Sequence, residues 1–478
     1  MSFRWTAPGG GEWTAGKPPP AWIYVVLLIL LVCAFLVGTL VTWPHGKSIA
    51  SQDFVLTALI DPFVLWMTFC FVLYVSMYDS IAFEVAVKNS ARWHLITGWQ
   101  RQLRAGMAVL DSVMLVPEPD LAERMLGLEG TPPENPGKVM RLDSVEGDDA
   151  MSRERALLEK LLTPLAARLA TAAKSDLFEI VIQCERADSS IVLQEVWEKI
   201  GLPGKPVVRW MDNSRDVGFV EDWFKEDRRP RWYGHDPTPK CQLVLAWHLN
   251  DEKSEVEPSV SEAAVALLLG SSAHMRENPA LKCQAWLLRE IVTDAADADR
   301  ALASLLGSEQ VPRERIRHFW WSRLKGIAQH ATLGAVKESG LKVEDHALDP
   351  AIGPQAPVAR WLLQALAAKM AHFGQGAQLV ALPQARRVAL NIVIRDMPAA
   401  NVPWKKEYDY EARLFPMFEL AGLACLWTCL VLMSPDKTWG TFETVFTVVL
   451  ILAFFLCLAW RLFFGPRIYT DEVWRKYG

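Results

Sequence analysis

The chain has 478 residues, a formal net charge of −5 and an apolar fraction of 51%. That weak negative balance leaves no electrostatic footprint for nucleic acid, and the length leaves room for two or three domains. Cys33, Cys70, Cys425, Cys429 and Cys457 lie in apolar runs, and Cys184, Cys241 and Cys283 stand apart without CxxC spacing. The pattern argues against a zinc site and a disulfide framework, so no metal or cofactor is expected and a reduced compartment is.

Residues 1–20 are rich in Gly and Pro, carry Arg4 and Lys17, and read as a flexible cytoplasmic tail. AWIYVVLLILLVCAFLVGTLVTW, residues 21–43, holds no charge over the roughly 20 residues a helix needs to cross a bilayer core. After a short polar segment comes a second apolar stretch, 54–78, interrupted by Asp61-Pro62. The pair predicts a helix starting near Pro62 with Asp61 as its cap. A third span follows from Leu414 to Met433, with Glu419 about one turn inside it and in reach of the interface, and a fourth from Thr444 to Trp460. Trp22, Trp43, Trp439 and Trp460 fall at the predicted boundaries, where an aromatic belt belongs.

Orientation follows from the basic residues. The first connector carries only Lys47, whereas Lys88, Arg92, Arg101 and Arg104 follow the second span, Lys405, Lys406 and Arg413 precede the third, and Arg461, Arg467, Arg475 and Lys476 follow the fourth. All clusters fall on one side. The expected protein is thus an integral membrane protein with four transmembrane helices in two hairpins (21–80 and 401–465) flanking a large cytoplasmic α/β domain. Both termini, including a tail at 466–478, share the side of that domain. Four spans without paired Gly- or Pro-broken helices do not suggest a transporter.

Between the hairpins, 81–150 reads as a helical connector. From 151 to 400 strands alternate with helices, as in a layered α/β domain. Expected strands are 177–184, 206–212, 241–250, QLVALPQ and RRVALNIVI, with 282–292 a further candidate. SEAAVALLLGS (261–271) fits strand or helix by periodicity, and its length favours a strand. Helices are expected over Ala295–Leu306 and Pro312–Lys337, and two halves split near residue 300 are an option.

SEAAVALLLGSSAHMRENPALKCQAWLLREI resembles a segment of the β-ketoacyl synthase and thiolase-like superfamily, in which a Gly-Glu-Gly-Ala turn leads into a buried strand; Ser261-Glu262-Ala263-Ala264 stands there without the glycines. ALDPAIGPQAPVARWLLQALAAK is similar to the family's loop and helix after its first catalytic histidine. The resemblance implies a thiolase-like fold and an acyl-transfer site of a nucleophilic Cys with two histidines, for which Cys184, His346 and His372 are the candidates. No His-Gly-Thr-Gly-Thr sequence is present, and Glu185 is an unhelpful neighbour for a thiolate. The family's catalysis is therefore expected to have been lost. VLDSVMLVPEPDLAERMLGLEG and HFWWSRLKGIAQHATLGAVKESG resemble membrane-anchored accessory or adaptor proteins of bacterial type VI secretion, a resemblance that implies the bacterial inner membrane as the location.

No Walker loop, GxGxxG, GxSxG or HExxH is present. His318 and Ser322, four apart on the expected helix, form a conceivable base and nucleophile. Arg315, Arg317, Arg323 and Lys325 beside Trp320 and Trp321 make an aromatic and basic patch for docking a partner or lipid headgroups. Trp232 and Tyr233, in the charged loop 221–240, are a second docking candidate. The reading reached is a non-enzymatic membrane platform or adaptor that binds a protein, in type VI secretion, with membrane-bound acyl transfer as the alternative. The lipid bilayer and a protein are the expected partners.

Overall fold

The strand Ala263–Gly270 (AAVALLLG) is buried along its whole length. A run apolar on both faces needs strands at both edges and packing above and below. It is β5 of an 11-stranded sheet in the computed structural model, which describes residues 3–478 apart from 45, 50, 148, 175–177, 213–238, 251–256, 385–386, 398–401 and 434–438. The chain divides into two compact units, residues 1–7 with 100–399, and residues 8–99 with 400–478.

The first unit holds the sheet. Its strands are β1 (Gly106–Leu115), β2 (Phe178–Cys184), β3 (Val207–Asp212), β4 (Cys241–His248), β5, β6 (Ala285–Leu288), β7 (Ile291–Asp294), β8 (Ile316–Trp321), β9 (Glu344–Ala347), β10 (Ala377–Gln384) and β11 (Arg387–Ile394). The order is β3-β2-β4-β5-β1-β6-β11-β10-β8-β9, with β7 alongside β11. Outward from the central β1–β6 pair the pattern repeats. On each side two antiparallel junctions (β1–β5–β4 and β6–β11–β10) are followed by two parallel ones (β4–β2–β3 and β10–β8–β9). The second set opens at Ala285, ahead of residue 300.

Alternate residues of each strand supply different apolar layers. Val181, Val244, Val265, Trp320 and Val380 pack with the helix Ala359–His372, whose side chains are buried nearly all round. Ile180, Ile182, Leu243 and Leu245 face the helices Ala150–Leu162 and Ser189–Ile200. Phe319, Leu379 and Ile392 face Ala298–Gly307 and Ile327–Glu338. Polar contacts inside the middle layer are paired: Trp361 Nε1 donates to Gln183 Oε1 at 2.7 Å, Trp320 Nε1 to Gln378 Oε1 at 2.7 Å, and Gln364 and Asn391 exchange two bonds.

Several expectations are corrected here. The stretch 81–150 is not wholly helical, because GMAVLDSVML forms β1 at the centre of the sheet, where cross-strand packing outweighs local helix preference. Residues 312–337 are not one helix: IRHFWW is the strand β8, and the helix begins at Ile327. The stretch 282–292 is two strands, β6 and β7, both along β11 and separated by Arg289 and Glu290. Arg289 turns away to donate to the Gln102 carbonyl at 3.0 Å.

Among the described residues four helices are long and apolar enough to cross a membrane, Ala21–Thr42, Gln52–Leu103, Glu411–Leu432 and Thr441–Tyr477, and the second unit, residues 8–99 and 400–478, carries them up to residue 99 of the second helix. Asp61 does not cap a new helix, because the helical run is already under way from Gln52. A π-turn at Leu56–Ile60 precedes Pro62 and accommodates its missing donor and its bulk against the preceding turn. The N-terminal residues are tied down. Trp13 and Asn89 exchange two hydrogen bonds, Arg92 donates to the Gly10 carbonyl at 2.7 Å, and Glu12 accepts from Lys405 and Tyr408.

Candidate functional site

β2 leads through the helix Ser189–Ile200 to β3 on one side, and β4 leads to β5 on the other. Divergence of this kind opens a crevice at the carboxyl ends of parallel strands, a common place for ligands in α/β sheets. A cavity of about 750 Å³ lies there, lined by Glu154, Cys184, Glu185, Ser189, Trp247 and His248 among others.

Cys184 ends β2 on the side of the helices Ala150–Leu162 and Ser189–Ile200. Its Sγ lies 3.1 Å from the Arg186 carbonyl oxygen and 3.4 Å from Ser189 Oγ. Burial pushes its thiol up to about 11. Burial also raises the Glu154 carboxyl, which bonds to Ser189. Among the described residues the histidine lining this cavity is His248, with Nδ1 at 3.0 Å from Glu185 Oε1 and Nε2 at 3.1 Å from Asn250 Oδ1. The Ser189 hydroxyl, the Arg186 carbonyl and the Trp210 indole approach the sulfur and the Arg186 guanidinium lies within its field, yet desolvation outweighs them and keeps the thiol protonated.

The three catalytic candidates are not brought together. Cys184 is on β2 and His346 on β9, far apart in the strand order and on opposite faces of the sheet. His372 is exposed at the end of the helix Ala359–His372. The His318–Ser322 pair is undone by the strand. Four residues of extended chain span about 13 Å, and Ser322 Oγ instead donates to Asp349 Oδ2 at 2.9 Å.

The docking patch is also rearranged. Trp320 and Trp321 are buried, Arg323 is half-buried, and Arg315, Arg317 and Lys325 stay exposed. Arg315 and Arg317 join Arg395, Glu314 and Asp396 around a notch of about 250 Å³, where Gly374 and Gly376 bring backbone to the surface. Trp232 and Tyr233 lie outside the described residues.

A second cluster went unnoticed in the sequence. His318 Nδ1 is 3.0 Å from His346 Nε2, and Glu344 Oε2 is 3.6 Å from the first and 4.0 Å from the second. These three residues carry donor atoms within 4.8 Å of one another, the arrangement a metal ion needs, although no metal was expected. Burial depresses the His346 imidazole to about 4 and lowers His318 as well, so both rings are neutral at pH 7. The legible signal was the alternation His-x-Trp and Glu-x-His, which places all four side chains on one face once both segments are taken as strands.

No family model and no characterised sequence matches the chain. The comparable solved structures are ketosynthases and related condensing enzymes. An oxazolomycin ketosynthase domain from Streptomyces albus is 14% identical with a TM-score of 0.44, over 63% of this chain and 98% of that one. Ketosynthase twelve of the bacillaene synthase of Bacillus amyloliquefaciens is 9% identical with a TM-score of 0.44, over 78% and 87%. A β-ketoacyl synthase from Burkholderia phymatum is 8% identical with a TM-score of 0.42, over 61% and 100%. No secretion adaptor is among the structures named.

Proposed function

We propose that this chain is a multi-span membrane protein whose α/β unit is a binding platform for another protein and not a condensing enzyme. The observation that carries the reading is the setting of Cys184: a sulfur whose burial pushes the thiol up to about 11 in spite of Ser189, Trp210 and Arg186 around it, with neither His346 nor His372 beside it. A condensing nucleophile needs the opposite setting, a positive field and a nearby imidazole. Four helices of spanning length and the one-sided distribution of Lys and Arg support insertion with the α/β unit and both termini in the cytoplasm. The notch at Arg315, Arg317 and Arg395 is the docking place we assign to the partner, through an acidic segment that Arg315 and Arg317 would pair, Arg395 already lying 3.9 Å from Asp396.

The test is acylation of the full chain in membranes by an acyl-thioester analogue. The platform reading expects no label at Cys184; a label that disappears in Cys184→Ala would overturn it. Orientation is read separately, by protease access to residues 100–399 in sealed inner-membrane vesicles of both orientations. Photo-crosslinking from position 317 in cells should give a discrete adduct that Arg315→Glu abolishes.

A further inference from the structure

We propose that His318, Glu344 and His346 form a binding site for one divalent d-block ion of the zinc class. The inference is independent of the platform reading and rests on strand register. β8 and β9 run parallel with His318 opposite Glu344 and Trp320 opposite His346. Because alternate residues of a strand share a face, these four side chains come out on one side together.

The geometry is close to that of an occupied site. Zinc holds imidazole nitrogen at about 2.0–2.1 Å, so two tetrahedral ligand atoms lie about 3.3 Å apart. The separations here are 3.0, 3.6 and 4.0 Å, on either side of that value. Admitting the ion requires the two rings to part by a few tenths of an ångström and Glu344 to swing inward. The Glu344 side chain is 70% exposed and free to do so, whereas both histidines are 7% exposed and held.

The donors are also oriented. The Trp320 ring lies 4.7 Å from the His346 ring, and Trp320 is itself fixed by its bond to Gln378. A backbone hydrogen bond with Met125 engages His346. Its Nε2 faces His318, and a second-sphere bond of this sort is what sets the tautomer of a ligating histidine. Two imidazoles and a carboxylate favour zinc, cobalt or nickel over magnesium and calcium, which prefer all-oxygen shells. Three protein ligands on the edge of the sheet leave a fourth position for water.

The experiment uses the full chain in detergent, carrying an affinity tag without histidine, stripped with a chelator and titrated with Co²⁺. The expected result is one equivalent bound with visible absorption bands of a four-coordinate ion, displaced by Zn²⁺. Outer-sphere substitutions at metal sites already cost about 10–100-fold in affinity. Loss of a ligand in Glu344→Gln or His318→Gln should therefore weaken binding by at least about 100-fold. Glu344 is exposed, so Glu344→Gln should keep the melting temperature of the metal-free chain and decides the matter even if a histidine variant misfolds. Failure of the wild type to take up Co²⁺, or uptake unchanged in Glu344→Gln, would overturn the assignment.

Discussion

Asp79 and Arg461, 382 residues apart in the chain, form a buried ion pair that joins the two helical hairpins of the apolar unit. Arg461 also pairs with Glu419 and donates to the Arg413 carbonyl at 2.8 Å, while Arg413 reaches Asp79 at 3.2 Å. Two cations and two carboxylates thus close a network without net charge. Asp79 ends the π-turn Val75–Asp79, and Arg461 lies in another, Trp460–Phe464. A π-turn adds one residue to a helical turn and re-aims the side chains around it.

Breaking this pair leaves the network with one unbalanced charge, but Arg461 keeps Glu419 and Asp79 keeps Arg413, so the cost falls below the about 3–5 kcal/mol of a charge stranded alone. Asp79→Asn and Arg461→Leu are each expected to lower the unfolding temperature in detergent. The double variant should lose clearly less than the sum of the two, since the partners share one interaction. Additive losses would show that the contact is incidental.

Glu262 of the Ser-Glu-Ala-Ala segment has a structural task. It is fully buried, pairs with Arg153 at 3.0 Å, and accepts from the Leu142 and Asn250 backbone amides at 2.8 and 2.9 Å. Glu262→Ala strands the Arg153 guanidinium and two amides in the core. It should destabilise the chain by about 3–5 kcal/mol, read as a lower unfolding midpoint. Glu262→Gln should recover part of that loss by keeping the acceptor oxygen.

Cys184 supplies a pH signature. Its thiol ionises near 9 when unfolded and is held protonated to about 11 when folded. The folded chain therefore binds more protons between those values, and its stability falls as pH rises from 9 toward 11. Cys184→Ala should flatten that part of the stability profile. At pH 7.5, alkylation of Cys184 in the native chain should be much slower than in urea; fast native alkylation would place the sulfur in a different environment.

The long apolar helices were legible because a charge-free run such as residues 21–43 has the length and composition that a membrane-crossing helix needs. β5 was legible for the same reason, a continuous apolar stretch of strand length. β1 and β8 were not. Gly106–Leu115 follows directly on helical residues, and Ile316–Trp321 carries Arg317 and His318, so local pattern favours helix in each. What makes them strands is pairing with β5 and β6, and with β9 and β10, partners distant in sequence. The same error hid the His318–His346 pair. A histidine's neighbours on a helix lie four residues on, whereas on a strand they belong to the next chain segment.

The seam between the two sets of strands gives the last prediction. β1 and β6 meet with Gly106 opposite Leu288 and Met107 opposite Leu287. A Cβ at Gly106 would fall 2.6 Å from the Leu287 carbonyl oxygen, a backbone atom that cannot withdraw without breaking the pairing. Gly270, on the other strand beside β1, offers a control, since the nearest atoms a Cβ there would meet belong to the Leu110 side chain, at 3.4 Å and beyond. Gly106→Ala should cost about 1–3 kcal/mol through overpacking. Gly270→Ala should be neutral or stabilise by about 0.4–1 kcal/mol, because alanine narrows the unfolded ensemble. Urea midpoints of the full chain in detergent test the ordering. If Gly270→Ala proves the more damaging, the β1–β6 contact is looser than this register requires.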